Sequence, residues 1–299
     1  MNINKSHKKV TKAVIAAAGF GTRFLPATKN QPKEMLPIID KPIIHYLVEE
    51  AVASGIEDII LVTRAGHHIM EDYFDNRYEL ETALEEAGKL ESLEMVRNIP
   101  QMANFVYVRQ KGHLPYGNAT PLLAAKSLID DDEAFVYMFG DDLTISEKPV
   151  TQQLIDVYHE QNASAVLAVQ EVPDEEVVRY GTVKYKTNSA YPYEMEAGYE
   201  KLPVGQAPSN MAQFGRFVFS HDVIEEAEQS PTGKDDELWV IDILNSLAQK
   251  GKKVIAQPIE GEWLTTGDPL RYLKATLKFA MRREDIAEDL RTFIKQNNF

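Results

Sequence analysis

The chain has 299 residues and carries 32 Lys and Arg against 46 Asp and Glu, a formal net charge of −14. An acidic protein repels phosphate backbones, which argues against non-specific binding to nucleic acid. Because the chain has no cysteine, disulfides, thiolate nucleophiles and cysteine-ligated metal centres are excluded. No stretch approaches the roughly 18 apolar residues of a membrane span, and the polar start lacks the apolar core of a signal peptide. These features predict a soluble, cytoplasmic protein with no membrane or nucleic-acid partner.

The charge is unevenly distributed along the chain. Residues 1–41 hold eight basic and two acidic residues, which leaves 24 basic and 44 acidic residues, a balance of −20, for the other 258. Four of the basic residues form an N-terminal lead that we interpret as solvated: Lys5, Lys8, Lys9 and Lys12. Three others lie in the loop after the first predicted strand: Arg23, Lys29 and Lys33. This local positive charge is compatible with a site for a small anion.

From residue 12 to residue 139, apolar runs of β character alternate with segments of helical period. Strands are predicted at 12–17, 58–63, 105–109 and 134–139, and helices at 42–54 and 119–128, with charged helical sequence over 67–98. This alternation implies right-handed crossovers and a mainly parallel sheet covered on both faces. Ligands of such sheets bind beyond the carboxyl ends of the strands, so the loops after residues 17, 63, 109 and 139 are the candidate sites.

Beyond Ala165 the strands become shorter and the loops are rich in Pro, Gly and Tyr. Strands are predicted at 165–170, 181–186 and 212–220, helical sequence returns after Asp222, and closing helices are predicted at 270–280 and 284–295. Because no flexible linker flanks the middle section, we interpret it as a β-containing insertion over the sheet within a single domain.

The loop after the first strand is the first candidate site. It reads Ala16-Ala17-Ala18-Gly19-Phe20-Gly21-Thr22-Arg23, in which small residues allow backbone N–H groups to approach an anion. Thr22 adds a hydroxyl donor and Arg23 a forked cation. The loop lacks the third glycine of a dinucleotide fingerprint and the Gly-Lys-Ser/Thr of a P-loop, so it is neither motif. A plain structural turn is an equally good interpretation of this loop taken alone.

Lys33 lies ten residues further on, between two prolines. Proline fixes φ, so the segment from Pro32 to Pro37 is stiff and can hold the lysine as a positioned point charge. Taken alone, a solvated lysine is the simpler interpretation. Together with Arg23 and Lys29 in the same loop, Lys33 favours a cradle for a polyphosphate.

Two acidic residues are candidate metal ligands. Asp141 follows the fourth predicted strand in Gly140-Asp141-Asp142, on the side of the sheet where the first loop lies, and could hold Mg²⁺ together with substrate phosphates. Asp268, in Gly267-Asp268-Pro269, could supply a second carboxylate. The alternatives are an ordinary turn for Asp141 and a helix N-cap for Asp268. The pair His67-His68 is interpreted as surface rather than catalytic.

The longest informative run covers residues 12–63 and reads KAVIAAAGFGTRFLPATKNQPKEMLPIIDKPIIHYLVEEAVASGIEDIILVT. It resembles the N-terminal half of the bacterial UTP–glucose-1-phosphate uridylyltransferases almost residue for residue. Shorter similarities to the same family follow in order: VRQK at 108–111, GDD at 140–142, RYG at 179–181, EK at 200–201, APSN at 207–210, GRFV at 215–218, and GD with LKAT within 267–276. The resemblance therefore covers nearly the whole chain.

This resemblance implies a Rossmann-like nucleotidyltransferase fold, an α/β/α sandwich with a mainly parallel mixed sheet. It implies conversion of UTP and glucose 1-phosphate to UDP-glucose and pyrophosphate, Mg²⁺ as the cofactor, and a homo-oligomer. About 8–169 would form the nucleotide-binding core, about 170–268 the sugar-binding part and about 269–299 the C-terminal helices. The implied nucleotide-binding residues are Ala17, Ala18, Gly19, Gly21, Thr22, Gln110 and Gly117. The implied catalytic residues are Arg23, Lys33 and Lys201, the implied sugar-binding residues are Gly181, Glu200 and Lys201, and the implied metal ligands are Asp141 and Asp268.

The chain departs from the family pattern in the segment after Gln110. Pro115 stands where a family glycine helps to hold the base through its N–H, so Tyr116 or Gly117 would have to replace that contact. Asn118 stands where the family has histidine. Further departures are Ala16, Arg64, Leu202, Trp239 and Ile241, of which the last two occupy positions that are polar in the family.

These departures leave three interpretations open. The first is drift with compensating packing and an unchanged reaction. The second is the same reaction with another base or sugar, such as thymidylyl transfer. The third is a regulatory paralogue that binds nucleotide sugars without turnover, which is disfavoured because the chain retains all five charged residues of the implied site: Arg23, Lys33, Asp141, Lys201 and Asp268.

Overall fold

The computed structural model describes residues 9–66 and 68–297; Lys5, Lys8 and His67 lie outside the described residues. The described strands are β1 (Lys12–Ala16), β2 (Pro37–Ile38), β3 (Lys41–Pro42), β4 (Asp58–Thr63), β5 (Asn104–Arg109), β6 (Ala134–Phe139), β7 (Asp142–Ile145), β8 (Ala165–Glu171), β9 (Gly181–Tyr185), β10 (Met195–Glu200), β11 (Met211–Ser220), β12 (Val254–Pro258) and β13 (Glu262–Thr265). The described helices are α1 (Ile43–Ala53), α2 (Ile69–Tyr73), α3 (Tyr78–Glu86), α4 (Leu90–Asn98), α5 (Thr120–Ala125), α6 (Val150–Gln161), α7 (Asp222–Gln229), α8 (Val240–Gln249), α9 (Pro269–Ala280) and α10 (Ala287–Gln296).

Nine of these strands form one mixed sheet. Its order is β10-β9-β11-β6-β1-β4-β5, and β8 pairs with both β11 and β12. The part made of β6, β1, β4 and β5 is wholly parallel, whereas β11 runs antiparallel to β6. In the parallel part Ala16, near the end of β1, lies opposite both Val62 and Phe139. The loops that follow these strands therefore converge at one edge of the sheet.

Helices cover both faces of this sheet. Along β1, the side chains of Ala13 and Ile15 belong to one buried apolar cluster and that of Val14 to the other. The first cluster takes in side chains of α1 and α6, and the second takes in side chains of α5, α7 and α8. Because β1 is buried on both faces, its side chains must be apolar on both sides of the strand. Residues 13–15 accordingly carry no polar side chain. The predicted α/β fold with helices on both faces is confirmed.

The middle section differs from the prediction in its placement. Strands β9, β10 and β11 extend the main sheet in its plane rather than lying over it, because β11 pairs directly with β6. The predicted helical segment 67–98 forms three separate helices, α2 to α4. The antiparallel pair of β7 and β13, which the sequence did not predict, stands apart from the main sheet and places Asp142 opposite Thr265. Within the described ranges, no helix is long and apolar enough to cross a membrane.

Candidate active site

A cavity of about 330 Å³ opens at the carboxyl ends of β1, β5 and β6, and we term it the β1 cavity. Ala17 is buried, does not line this cavity and donates its N–H to the carbonyl of Val62 at 2.9 Å, so that N–H is engaged within the sheet. The cavity lies beyond the ends of the parallel strands, where ligands of such sheets bind. Seven of the site residues implied by the family resemblance line it: Ala18, Gly19, Arg23, Lys33, Gln110, Gly117 and Asp141.

The loop after β1 turns sharply at Gly21. Its φ of 63° lies in the left-handed region, and a Cβ there would lie 3.2 Å from the Cβ of Thr28, so this turn requires glycine. The carbonyl of Gly21 accepts a hydrogen bond from the Thr28 hydroxyl at 2.7 Å. Thr22 is exposed and starts a single 3-10 turn, after which Arg23 reaches the carbonyl of Gly267 at 3.2 Å. The loop thus brings Arg23 to the segment between β13 and α9.

Lys33 and Asp141 form an ion pair in the β1 cavity, with Nζ 2.5 Å from Oδ2. Burial opposes the charged form of this lysine, but Asp141 and Glu34 outweigh burial and raise the pKa of Lys33 above its ordinary range. Glu34 is fully buried, its Oε1 lies 3.9 Å from Lys33 Nζ, and its Oε2 has no hydrogen-bond partner among the described residues. Burial raises the pKa of Glu34 to about 7. Because its own pKa is raised, Lys33 is protonated at neutral pH.

Asp141 is held in place from the side of β13. Its carbonyl accepts hydrogen bonds from the N–H and the hydroxyl of Thr266 at 2.7 and 2.8 Å. The next residue, Asp142, points into the protein and accepts from the indole N–H of Trp263 at 2.7 Å and the N–H of Gly215 at 2.8 Å. Burial raises the pKa of Asp142 to about 6. Asp142 is thus buried behind the site, whereas the carboxylate of Asp141 faces the cavity.

A second cavity of about 300 Å³, termed the β13 cavity, shares Arg23 with the first and is also lined by Arg179, Lys201, Asp268 and Arg271. Asp268 is the N-cap of α9, as one of the two sequence interpretations had it, and accepts the N–H of Arg271 at 3.1 Å. Both arginines, Arg179 and Arg271, donate to its Oδ2 at 2.9 Å. Burial opposes ionisation, but Arg271 and Arg179 together lower the pKa of Asp268. A cavity with four cations is suited to phosphate.

Glu200 is the last residue of β10, and Lys201 follows it directly. Lys201 has a left-handed backbone with φ of 48°, donates its N–H to the carbonyl of Tyr180 at 3.2 Å, and places Nζ 3.3 Å from Glu200 Oε1. A Cβ on the buried Gly181 would lie 2.9 Å from Glu200 Oε2 and 2.3 Å from Gln213 Nε2. The missing side chain lets Glu200 and Gln213 meet at 3.4 Å. Burial raises the pKa of Glu200. Gly181 and Glu200 are therefore in contact, although neither lines the two cavities described here.

The segment after Gln110 is hydrogen-bonded to residues 238–240, where α8 begins. The N–H of Leu238 donates to the carbonyl of Tyr116 at 2.7 Å. Gly117 follows with φ of 142°, and a Cβ there would lie only 2.2 Å from the carbonyl oxygen of Leu238. The side-chain oxygen of Asn118 accepts the N–H of Val240, the first residue of α8, at 2.8 Å. Asn118, which replaces a family histidine, thus ties the cavity wall to a helix.

Arg179 in the β13 cavity and Trp239 in the β1 cavity are among the lining residues that had been assigned no role from the sequence. Their only sequence signals were the RYG motif and the exchange of a polar residue for tryptophan. Arg64, another departure, stacks its guanidinium on the exposed ring of Phe20, 3.5 Å from the centroid. His68 is exposed and pairs with a neighbouring acidic side chain, in keeping with a surface position.

Comparison with known proteins places the chain in a family. A family model described as nucleotidyl transferase matches residues 12–282. The UTP–glucose-1-phosphate uridylyltransferase of Staphylococcus epidermidis is 43% identical over 289 residues, which cover 97% of this chain and 99% of that protein. A UTP-bound UGPase from Acinetobacter baumannii is 34% identical with a TM-score of 0.84, covering 96% of this chain and 99% of that one. A UDP-glucose pyrophosphorylase complexed with UDP-glucose is 35% identical with a TM-score of 0.82, covering 92% of this chain and 100% of that one.

These similarities extend over both cavities, since the matched residues include β1, the Asp141 segment and α9. They confirm the predicted nucleotidyltransferase fold and the predicted resemblance. The chain therefore belongs to the nucleotidyl transferase family and, within it, to the bacterial UTP–glucose-1-phosphate uridylyltransferases.

Proposed function

We propose that this protein transfers a uridylyl group from UTP to glucose 1-phosphate, which gives UDP-glucose and pyrophosphate. The observation that carries the proposal is a pair of cavities that share Arg23: Lys33 meets Asp141 in the β1 cavity, and Lys201 lines the β13 cavity. A nucleoside triphosphate in the first cavity and a sugar phosphate in the second would bring the reacting phosphates together beside Arg23. The 43% identity to an enzyme named for this reaction supports the same assignment.

The chemistry is an in-line displacement at phosphorus. An oxygen of the sugar phosphate forms a bond to the α-phosphorus of UTP, and the bond from that phosphorus to the pyrophosphate oxygen breaks. The attacking phosphate is already an anion at neutral pH, so the protein need not supply a general base. Catalysis then depends on positioning and charge neutralisation. Lys33, with its raised pKa, and Arg23 supply fixed positive charge for the triphosphate.

We assign the nucleotide to the β1 cavity. The loop after β1 would hold the phosphates and part of the base through its backbone, while Gln110 and Gly117 line the wall on the other side. Tyr116 and Gly117 both line this cavity and Pro115 does not; of the two, we assign the contact of the family glycine to Gly117. The nucleotide-binding residues proposed are Ala17, Ala18, Gly19, Gly21, Thr22, Gln110 and Gly117.

We assign a divalent metal, Mg²⁺, to the border between the cavities, with Asp141 and Asp268 as its protein ligands. Carboxylates are the ligand type that fits, because Mg²⁺ is usually bound by one or two carboxylates plus substrate phosphates. Binding at Asp268 would require Arg179 or Arg271 to release Oδ2. A Cβ on Gly267 would lie 3.1 Å from Asp141 Oδ2, so the Asp141 carboxylate lies beside the residue that precedes Asp268. When bound, Mg²⁺ would neutralise charge on the triphosphate.

We assign the hexose to Gly181 and Glu200 and its phosphate to Lys201. The buried Gly181 leaves room for the carboxylate of Glu200, which can accept hydrogen bonds from sugar hydroxyls. The ammonium of Lys201 follows directly in the β13 cavity, where Arg23 and Arg179 also present positive charge. In this assignment the sugar would lie beside β9 and β10, and its phosphate would point towards the nucleotide.

The resemblance also predicts a homo-oligomer in the cytoplasm, and three parts of the chain at about 8–169, 170–268 and 269–299. Multi-angle light scattering of the purified protein tests the first of these proposals. The other two follow from the same family resemblance.

Initial rates of pyrophosphate release test the proposed reaction. UTP, dTTP and CTP are each supplied with glucose 1-phosphate and with other hexose 1-phosphates, with Mg²⁺ or with EDTA. We expect the highest kcat/KM for UTP with glucose 1-phosphate and no release in EDTA. Higher kcat/KM with dTTP would favour the thymidylyl alternative raised by Pro115 and Trp239. Tight binding of UDP-glucose without pyrophosphate release from any pair would identify a regulatory protein instead.

A further inference from the structure

Trp239 lies at the entrance to α8 and forms part of the wall of the β1 cavity. Its side chain is only 8% exposed, and its indole N–H donates to the carbonyl of Lys234 at 2.9 Å. This bond and the surrounding apolar cluster fix the plane of the ring. At position 239 this chain therefore has a large aromatic ring in a fixed orientation, whereas the family pattern has a polar side chain.

The ammonium of Lys201 lies over this ring, 4.6 Å from its centroid. Tryptophan is the aromatic side chain that attracts cations most strongly. The same ammonium lies 3.3 Å from Glu200 Oε1, so the carboxylate and the indole face hold it from two directions. Lys201 lines the β13 cavity whereas Trp239 lines the β1 cavity, so their contact spans both.

The strand that carries Lys201 is also fastened to α8. Asn245 accepts the N–H of Gly198 at 2.7 Å and donates to its carbonyl at 2.9 Å. A Cβ on Gly198 would lie 2.1 Å from Ile241 Cδ1, so Ile241 packs directly on the backbone of β10. These contacts fix the backbone of β10 relative to Trp239. The part that can still move is the flexible side chain of Lys201.

We propose that Trp239 is a positioning residue for Lys201: its indole face holds the ammonium at the border of the two cavities, where the phosphate of the sugar substrate is to bind. A lysine side chain loses rotamer entropy when it is fixed by a ligand, and prior contact with the ring reduces that loss on binding. The inference rests on the proposed function, because it gives Lys201 a sugar-phosphate partner. It adds a residue that the family resemblance does not supply.

Steady-state kinetics of Trp239→Gln and Trp239→Phe test this role. For Trp239→Gln we expect the KM for glucose 1-phosphate to rise about tenfold while the KM for UTP changes less than about twofold. Trp239→Phe keeps an aromatic face and should recover most of the loss. Equal increases of both KM values would overturn the inference, because they would mark Trp239 as cavity wall alone. Failure of phenylalanine to do better than glutamine would overturn it as well.

Fluorescence supplies a readout that does not depend on turnover. The chain has two tryptophans, so the difference between wild-type and Trp239→Phe spectra isolates the emission of Trp239. Lys201→Met should change that emission, whereas the matched control Lys184→Met, which removes an exposed ammonium paired with Glu196 on the same sheet, should not. Equal changes of the Trp239 emission in the two lysine variants would refute the contact between Lys201 and Trp239. If wild type forms no UDP-glucose, the proposed function fails, and the spectra still decide whether Trp239 holds Lys201.

Discussion

Replacement of Arg216 by methionine should destabilise the fold by about 3–5 kcal/mol. Arg216 is fully buried, and its guanidinium donates to both carboxylate oxygens of Glu50 at 2.8 to 3.2 Å. It also donates to the carbonyls of Gly215 and Asp142 at 2.8 and 2.7 Å. Methionine fills similar volume but donates nothing, so the variant keeps a buried carboxylate without its counter-charge and two carbonyls without a donor. The site would be affected too, because Asp142 directly follows Asp141.

Urea unfolding followed by circular dichroism measures the change in the free energy of unfolding. Arg97→Met is the matched control, because Arg97 pairs with Glu81 and Glu85 at 3.0 and 3.3 Å but is 45% exposed. Solvent screens that pair, so its loss should have a far smaller effect. Equal losses for the two variants, or a loss below about 1 kcal/mol for Arg216→Met, would refute the reasoning.

The pH dependence checks the same buried pair. Burial alone would raise the pKa of Glu50, but Arg216 and the hydroxyls of Thr151 and Thr144 lower it. A carboxyl group with a lowered pKa contributes stability above its unfolded pKa of about 4.3, and this stability is lost as pH falls through the folded pKa. The unfolded chains titrate alike, so the stability difference between wild type and Arg216→Met depends on the folded pKa of Glu50, which burial raises once the guanidinium is gone. The difference should shrink as pH falls from that raised pKa of the variant to the lowered pKa of wild type. A constant difference across that range would contradict the role assigned to Glu50.

Three further outcomes are expected at the site. Lys201→Ala should lower turnover at least about tenfold while calorimetric UTP affinity stays nearly unchanged; unaltered turnover would remove Lys201 from the site. Asp141→Asn should lose activity together with its Mg²⁺ dependence in pyrophosphate-release assays, and retained Mg²⁺ stimulation would contradict its assignment as a ligand. Gly117→Ala should weaken UTP binding, because the added Cβ would lie 2.2 Å from the Leu238 carbonyl oxygen. The control is Gly88→Ala, since Gly88 also has a positive φ, 67°, but no atom lies within 4 Å of an added Cβ. Equal effects of the two variants on UTP binding would refute the argument.

The parallel part of the fold could be predicted from the sequence because its signals are local. Strands β4 and β6 have the predicted bounds, 58–63 and 134–139, since each is a short apolar run between turn signals. Strands β7 and β13 were missed because each has only four residues, too few to show a clear alternation. Their pairing, which sets Asp142 opposite Thr265, joins segments that no local pattern connects.

The site was predictable where its residues follow strands, and less so where distant segments meet. Lys33, Asp141 and Gln110 line one cavity because the strands before Asp141 and Gln110 end at the same edge. By contrast, the hydrogen bond from Arg179 to Asp268 joins residues 89 positions apart. The contact between Trp239 and Lys201 also joins separate segments, 38 positions apart, so the sequence indicated Trp239 only as an exchange of residue type.

A competition experiment tests the central claim most directly. Wild-type protein with Mg²⁺ and glucose 1-phosphate is given UTP, dTTP and CTP at equal concentrations, and the nucleotide sugars and pyrophosphate are quantified by ³¹P NMR. The account predicts that UDP-glucose is the dominant nucleotide sugar and that one pyrophosphate is released for each nucleotide sugar formed. A dominant product other than UDP-glucose, or no pyrophosphate, would contradict it.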